Sequence, residues 1–466
     1  MGTIFGIAQN QLEEARWAVV INALEDATLI KAIWPLIEHR MHQMGLKPPV
    51  VGFRDGENTA AWLARHTDGL KQTLRESWGK IPPVLLYRPG ERVNVWLARH
   101  GVSLGSVDPR RGIPYYLMLL GRPGPLDNSD ETGISFSFQH DLDMYWGVGR
   151  VCFTDRDGQH RLGDYTAFAE RLVGIEQRRD VVDRLRKEIV YFATRHEDDK
   201  STIRSADDLV QPLVAWSMNP ENNPVKQSFA HTLHIEGAAT RSTLESILQG
   251  GSDGKAPALL FTASHGLGLS LTDDRLAMHQ GSLVLGDWSG FGNVKREHWF
   301  AGEDLVGLSG GPNVESMIAI LFGTYSVGCP AEDEVFFDEN QGRLRIAPFA
   351  LIAQLPQQLL ISGALGVIGH IDRAWTYSFP NNQASAQTEP FEEVLSRLMQ
   401  GRRVGDATDQ FNSIQGSRAM ALSDQLDKIR FGKKTIETLH FARLWMAYSD
   451  ARSYVLFGDP AARLPY

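Results

Sequence analysis

Through the first 46 residues, apolar side chains recur at helical spacing, at Trp17, Val20, Leu24, Leu29, Ile33, Leu36 and Met44, and the pattern stops at Gly45 and Pro48-Pro49. A helical lead-in is predicted there. From Pro83 the apolar positions contract into short runs, PVLLY (83–87), IPYYLMLLG (113–121), ISFSF (134–138) and WGVGRVCF (146–153), divided mainly by Gly, Pro and Asp. Runs of that length between turn residues predict strands, and DYTAFAERLVGIEQ (164–177) returns to the helical period. Residues 81–180 therefore read as one α/β unit behind a helical segment over 1–80.

A cleaner alternation begins at residue 187. KEIVYFATRH (187–196), QSFAHTLHIEG (227–237), PALLFTASHG (257–266), SMIAILFGTY (316–325) and GALGVIGHI (363–371) predict strands, with helices at SADDLVQPLVAW (205–216), ATRSTLESILQG (239–250) and LIAQLPQQLLIS (351–362). Strands alternating with helices imply a mostly parallel sheet covered on both faces. The tail from Phe391 reads as helical until SYVLFGDP (453–460), a short apolar run that can return as a last strand. The predicted fold class is α/β: a mostly parallel sheet flanked by helices, with a preceding α/β subdomain over 81–180, a main domain over 181–385 and a helical extension over 386–466. No fixed-period repeat is present, which argues against a solenoid or propeller.

Charge and composition then narrow the function. The formal net charge of −9 offers no global field for nucleic acid or an anionic membrane. Only Cys152 and Cys329 carry thiols, which excludes a disulfide framework and any four-thiolate metal site. The N-terminus lacks the basic start and apolar stretch of a signal peptide, and no apolar run approaches the roughly 18 residues of a membrane span. A soluble cytoplasmic protein without nucleic-acid or membrane partners is expected. Three weak motifs reduce to local structure: His39 and His42 to helix surface, Asp155 to Gly158 to a turn without the later ligands of a calcium loop, and Ser309 to Pro312 to a loop without the Lys-Ser/Thr of a P-loop.

In sheets of this kind ligands gather at the carboxyl ends of the strands. PALLFTAS delivers His265-Gly266 there, and IAILFG delivers Thr324 and, five residues on, Cys329. An imidazole at the rim followed by glycine lets a ligand backbone approach closely, and imidazole plus thiolate is the minimum for nucleophilic acyl transfer. Taken alone, His265 also fits a hydrogen-bonded structural histidine and Cys329 a small buried hydrophobe. Cys152, in the first unit, reads as core.

The ordered set IPYYLMLLG, YWGVGRV, PALLFTASHG, GSLVLGDW, IAILFGTYSVGCP, GALGVIGHIDRAWTYSF and ARSYVLFGDPAARL resembles the caspase-like cysteine peptidases, specifically bacterial relatives of the gingipain and CHAT groups. The resemblance spans more than three-quarters of the chain. It implies a caspase-type sheet and a His–Cys dyad that cleaves a protein or peptide substrate without metal or organic cofactor. His265 would be the general base and backbone N–H groups near Gly266 would hold the oxyanion. Asp287 and Trp288, just after the histidine strand, and Asp372 at the end of GHIDRAW fall where such enzymes build the pocket for the residue before the scissile bond. An acidic pocket would favour Arg or Lys.

One departure stands out. The relatives place the nucleophile directly after the apolar strand, in a pattern like Cys-Tyr-Gly-Ala-Gly-Thr-Pro, whereas this chain reads Thr324-Tyr325-Ser326-Val327-Gly328-Cys329-Pro330. Thr324 occupies the nucleophile position, and its secondary alcohol lacks the reactivity of a thiolate. Two readings follow. Either Cys329 folds back as nucleophile, since five residues extended span up to about 17 Å, or the site is inert and the protein is a pseudoprotease acting as an interaction scaffold.

Overall fold

The computed structural model describes residues 2–71, 82–124, 132–219, 221, 228–338, 342–375, 388–432 and 438–466. Its main sheet has ten strands. In chain order they are β1 (Trp17–Asn22), β2 (Val84–Tyr87), β3 (Tyr116–Leu120), β4 (Gly147–Val151), β5 (Leu185–Ala193), β6 (Ala230–Ile235), β7 (Ala256–Ala263), β8 (Ile318–Phe322), β9 (Gly366–His370) and β10 (Tyr454–Gly458). Across the sheet the order is β2-β1-β3-β4-β10-β9-β8-β7-β5-β6.

Neighbouring strands are parallel everywhere except at β9 and β10, which pair antiparallel from Gly366↔Gly458 to His370↔Tyr454. The sheet is therefore two parallel blocks running in opposite directions. The carboxyl ends of β1 to β4 lie at one edge, and those of β5 to β9 at the other. This is the mostly parallel, helix-flanked α/β architecture expected above, and the tail is helical over Glu389–Met399, Asp409–Arg430 and Thr438–Ser453. SYVLFGDP does return as a strand, in the middle of the sheet: β10 bridges β4 and β9.

Two local expectations are corrected. The lead-in is not all helix: Trp17–Asn22, WAVVIN, is a strand buried at all six positions. Its apolar residues meet the helical template at i and i+3, but an unbroken apolar run rich in β-branched residues is also what a doubly covered parallel strand needs. Conversely ISFSF opens a helix, Phe136–Asp143, because Ser135 caps it by accepting the Phe138 N–H at 3.1 Å. The acidic motif at 155 is the turn expected, with Asp155 Oδ1 accepting the N–H groups of Asp157 and Gln159 at 2.9 Å.

The first block is pinned to the end of β10 by a buried ion cluster. Arg40, on the helix Trp34–Gln43, gives Nε to Asp459 at 2.8 Å and its two Nη atoms to Glu176 at 2.6 and 2.7 Å, while Trp17 Nε1 donates to the other Asp459 oxygen at 2.9 Å. Arg40 and Asp459 are fully buried, so each is the other's replacement for water. Among the described residues no helix is long and apolar enough to cross a membrane.

Candidate functional site

Three adjacent strands, β5, β7 and β8, end on the same edge. Past β7, His265 emerges with its side chain 37% exposed, and its Nε2 meets Asp199 Oδ2, a carboxylate 16% exposed. Asp199 sits in the loop after β5, where it also caps the helix Lys200–Arg204 by accepting the Ser201 N–H at 3.0 Å and the Thr202 hydroxyl at 3.2 Å. Burial alone would raise its pKa, but the hydrogen bond and charge of His265 and the donors at Ser201 and Thr202 hold it down to about 2. In the neutral tautomer that donates Nε2–H to that carboxylate, the ring's lone pair is on Nδ1. Trp288 stands edge-on between two imidazoles, 6.1 Å from His265 and 5.1 Å from His196 between ring centroids.

Thr324 follows β8 and is fixed by its turn. The Ser326 hydroxyl donates to Leu321 O at 2.7 Å and accepts the His370 N–H at 3.0 Å, stitching the turn to β8 and β9. The Ser326 N–H reaches Gly323 O at 3.2 Å and the Tyr325 N–H reaches Asp372 O at 3.0 Å. Tyr325 is held at φ 56°, a left-handed conformation that a bulky residue adopts only under constraint from its surroundings. The constraint comes from two glycines: a β-carbon on Gly266 would overlap the Thr324 carbonyl, and one on Gly281 the Tyr325 carbonyl. Thr324 Oγ1 accepts the Ala374 N–H at 3.3 Å. His265 and Thr324 line one cavity of about 600 Å³, together with Ser201, Arg345, Arg373 and Trp375 among others.

Cys329 is elsewhere. It lies in a two-residue ribbon with Leu351–Ile352, 0% exposed, packed with Leu276, Tyr325, Ala347 and Leu351. Its thiol donates to Pro330 O at 3.3 Å, and Gln280, which lines the cavity, approaches the sulfur at 3.7 Å from that side. Burial pushes the thiol pKa well up, against a smaller opposing effect of the Gln280 hydrogen bond. The expectation that the five-residue loop folds back toward His265 is not met in this structure, because ribbon pairing at Gly328–Cys329 fixes the chain with the sulfur behind Gln280 and Tyr325. Thr324, and no cysteine, shares the cavity with His265.

The other expected site residues divide. Gly266 holds the close backbone approach just described. Trp288 is beside His265. Asp287 is exposed and accepts the Arg241 N–H at 2.7 Å, which makes it a cap for the helix Arg241–Leu248. Asp372 is buried beneath the cavity wall, accepting the Arg373 N–H at 2.7 Å, and burial raises its pKa to about 6 despite that bond and the Arg373 charge. Instead of an acidic pocket, the cavity presents Arg345 and Arg373, the latter tied to buried Asp333 at 2.6 Å. Asp199 went unread in the sequence. It is the last of three acidic residues in His196-Glu197-Asp198-Asp199; the pairing of β5 beside β7 brings the loop to His265, and the cap at Ser201 and Thr202 selects Asp199 from it.

Comparison with known proteins gives similarity at low identity. A solved protease structure matches at 10% identity and a TM-score of 0.45, covering 96% of this chain and 78% of its own. Two structures of the Saccharomyces cerevisiae separase–securin complex match at 8% and 9% identity with TM-scores of 0.33 and 0.31, each over 75% of this chain and 16% of the other. No family model and no curated protein matches the sequence.

Proposed function

We propose that this chain is a caspase-type α/β protein that lacks a working cysteine dyad and uses the cavity beside His265 to hold a peptide segment of a partner protein without cleaving it. The observation that carries this reading is the identity of the group facing that cavity at the strand end: Thr324, with the nearest thiol, Cys329, fully buried behind the wall. A threonine hydroxyl at neutral pH is un-ionised, and a buried thiol of raised pKa supplies no thiolate. The retained pieces support binding. Asp199 keeps His265 oriented, the Gly266 and Gly281 contacts keep the rim narrow, and Arg345 and Arg373 favour a segment carrying carboxylates.

The test is incubation of the full chain with Arg-, Lys- and Asp-ended peptide reporters and a thiol-directed active-site probe. No hydrolysis and no labelling of the folded wild type are expected. Thr324→Cys is expected to become labelled at that position, with the rate falling at least tenfold when His265→Ala is added. Hydrolysis that disappears with His265→Ala, or native labelling of Cys329, would overturn the silent reading. Failure of Thr324→Cys to label would overturn the caspase-type reading of the cavity.

A further inference from the structure

A second cavity, of about 320 Å³, shares no lining residue with the first and lies beside the amino end of β5, where the helix Leu162–Gln177 ends and the final residues of the chain pass. Its wall carries Arg178, Arg179, Arg403 and Arg463, with Tyr466 at one side and Glu176 as its carboxylate. That carboxylate is already engaged by Arg40, by His39 at 2.8 Å and by Gln43 at 2.9 Å. Arg178 is paired with Glu315.

The remaining three arginines have no such partner. Arg403 is 6% exposed, and its guanidinium donates only to neutral carbonyls, Asn10 O at 3.2 Å and Ala461 O. Its pKa is pushed down to about 10, by burial first and then by the charge of Arg40, with Arg463 adding to the effect and the weaker influence of the Glu176 carboxylate opposing it. Arg179 and Arg463 are exposed and make no ion pair among the described residues. A buried guanidinium that makes no ion pair, its nearby carboxylate already engaged by Arg40, is costly, and its planar fork matches the oxygens of a phosphate or carboxylate.

We infer that this arginine-lined cavity binds a phosphate-bearing small molecule, with Arg179, Arg403 and Arg463 supplying positive charge that no ion pair among the described residues answers. The volume is at the lower end for small-molecule sites. Val181, Val182 and Leu464 give one wall an apolar character that would suit an organic ester. Bound there, the anion would brace residues 463–466 against the helix Leu162–Gln177. The site is independent of the fate of the dyad.

Calorimetric titration of the full chain with inorganic phosphate and with phenyl phosphate, at ionic strength held constant with NaCl, tests this. Saturable one-to-one binding is expected, weakened at least tenfold by Arg179→Ala combined with Arg463→Ala, two exposed positions at which substitution spares the fold. Arg403→Lys, which keeps the charge and loses the fork, is expected to weaken binding as well. Tighter binding of the phenyl ester would assign an organic phosphate, and equal binding the free anion. No saturable heat with either anion, or unchanged affinity in the double variant with its circular dichroism intact, would overturn the inference.

Discussion

The two blocks of the sheet treat the polar groups at their carboxyl ends in opposite ways. In the first, Glu25 after β1 meets His160 Nε2 at 3.3 Å, His160 Nδ1 meets the Tyr165 hydroxyl at 2.8 Å, and Arg150 is buried against Gln139 Oε1 at 2.9 Å and Ile134 O at 2.7 Å. Cys152 closes this group, its pKa pushed up to about 12 by burial in spite of Arg150. In the second, His265, held by Asp199 from the neighbouring loop, and Thr324 border an open cavity. Both edges obey the same topological rule for where ligands gather, and both have an imidazole and a carboxylate. What separates them is access: polar groups satisfied by one another make a core, while those left facing a cavity make a site.

The largest way to break the contrast is at the ion cluster that forms the seam between the first block's helices and the residue after β10. Arg40→Ala leaves Asp459 and Glu176 as buried carboxylates without their cation, and a loss of about 3–5 kcal/mol is expected in urea unfolding. If the second block's rim is built from its own loops, Thr324→Cys should label at an unchanged rate in the Arg40→Ala background below the unfolding transition. A loss under about 1 kcal/mol would mean that the seam is held by apolar packing alone.

Next is Asp372. Its folded pKa of about 6 lies above the usual value of about 3.9, so between these pH values the folded state binds more protons than the unfolded one. Stability then falls as pH rises through that window and stays low above about pH 6. Asp372→Asn keeps an acceptor for the Arg373 N–H and removes the charge. It is expected to raise stability at pH 8 by up to about 3 kcal/mol and to have little effect at pH 4, by denaturant midpoints at the two pH values. An equal effect at both would show that the carboxyl is not held protonation-prone by burial.

The sequence legibly carried the second block, because its strands are continuous apolar runs divided by capped helices: PALLFTASHG and GALGVIGHI fall on β7 and β9 to within three residues at either end. It carried β10 as an isolated apolar run but not its central place, which depends on pairing between residues about 300 apart in sequence at Phe457↔Arg150. β1 was obscured because WAVVIN satisfies two periods at once. At the site, His265 and Thr324 were readable from strand ends, whereas Asp199 was not, since choosing among three successive acidic residues requires the geometry of the cap. Arg345 and Arg373 displaced the expected acidic pocket because adjacent residues at a strand end face different ways, and Asp372 turns inward where Arg373 does not.

Glycines offer a finer test. Gly266→Ala places a β-carbon against the Thr324 carbonyl, a backbone atom that cannot swing aside, and about 1–3 kcal/mol of destabilisation is expected from overpacking. Gly163, on the helix Leu162–Gln177 of the first block, has nothing within 4 Å of the same position. Gly163→Ala is expected to be neutral or slightly stabilising. Equal costs at both would remove the close approach of β7 and β8 loops as the feature that shapes the rim.

The smallest expected effect on stability is the one that most sharpens the site. Asp199, held down to about 2, stabilises the fold fully above about pH 4, and that contribution is lost as pH falls toward 2. Partial exposure screens the pair, so Asp199→Asn is expected to cost about 1 kcal/mol at pH 7 and nothing near pH 2. A purely structural cap would show the same. The distinguishing readout is the rate of labelling in Thr324→Cys: without the carboxylate that fixes the imidazole, the maximum rate should drop about tenfold, while Ser201→Ala, beside the cap, leaves it unchanged. A rate that does not change would mean that Asp199 holds its loop and does nothing for the imidazole.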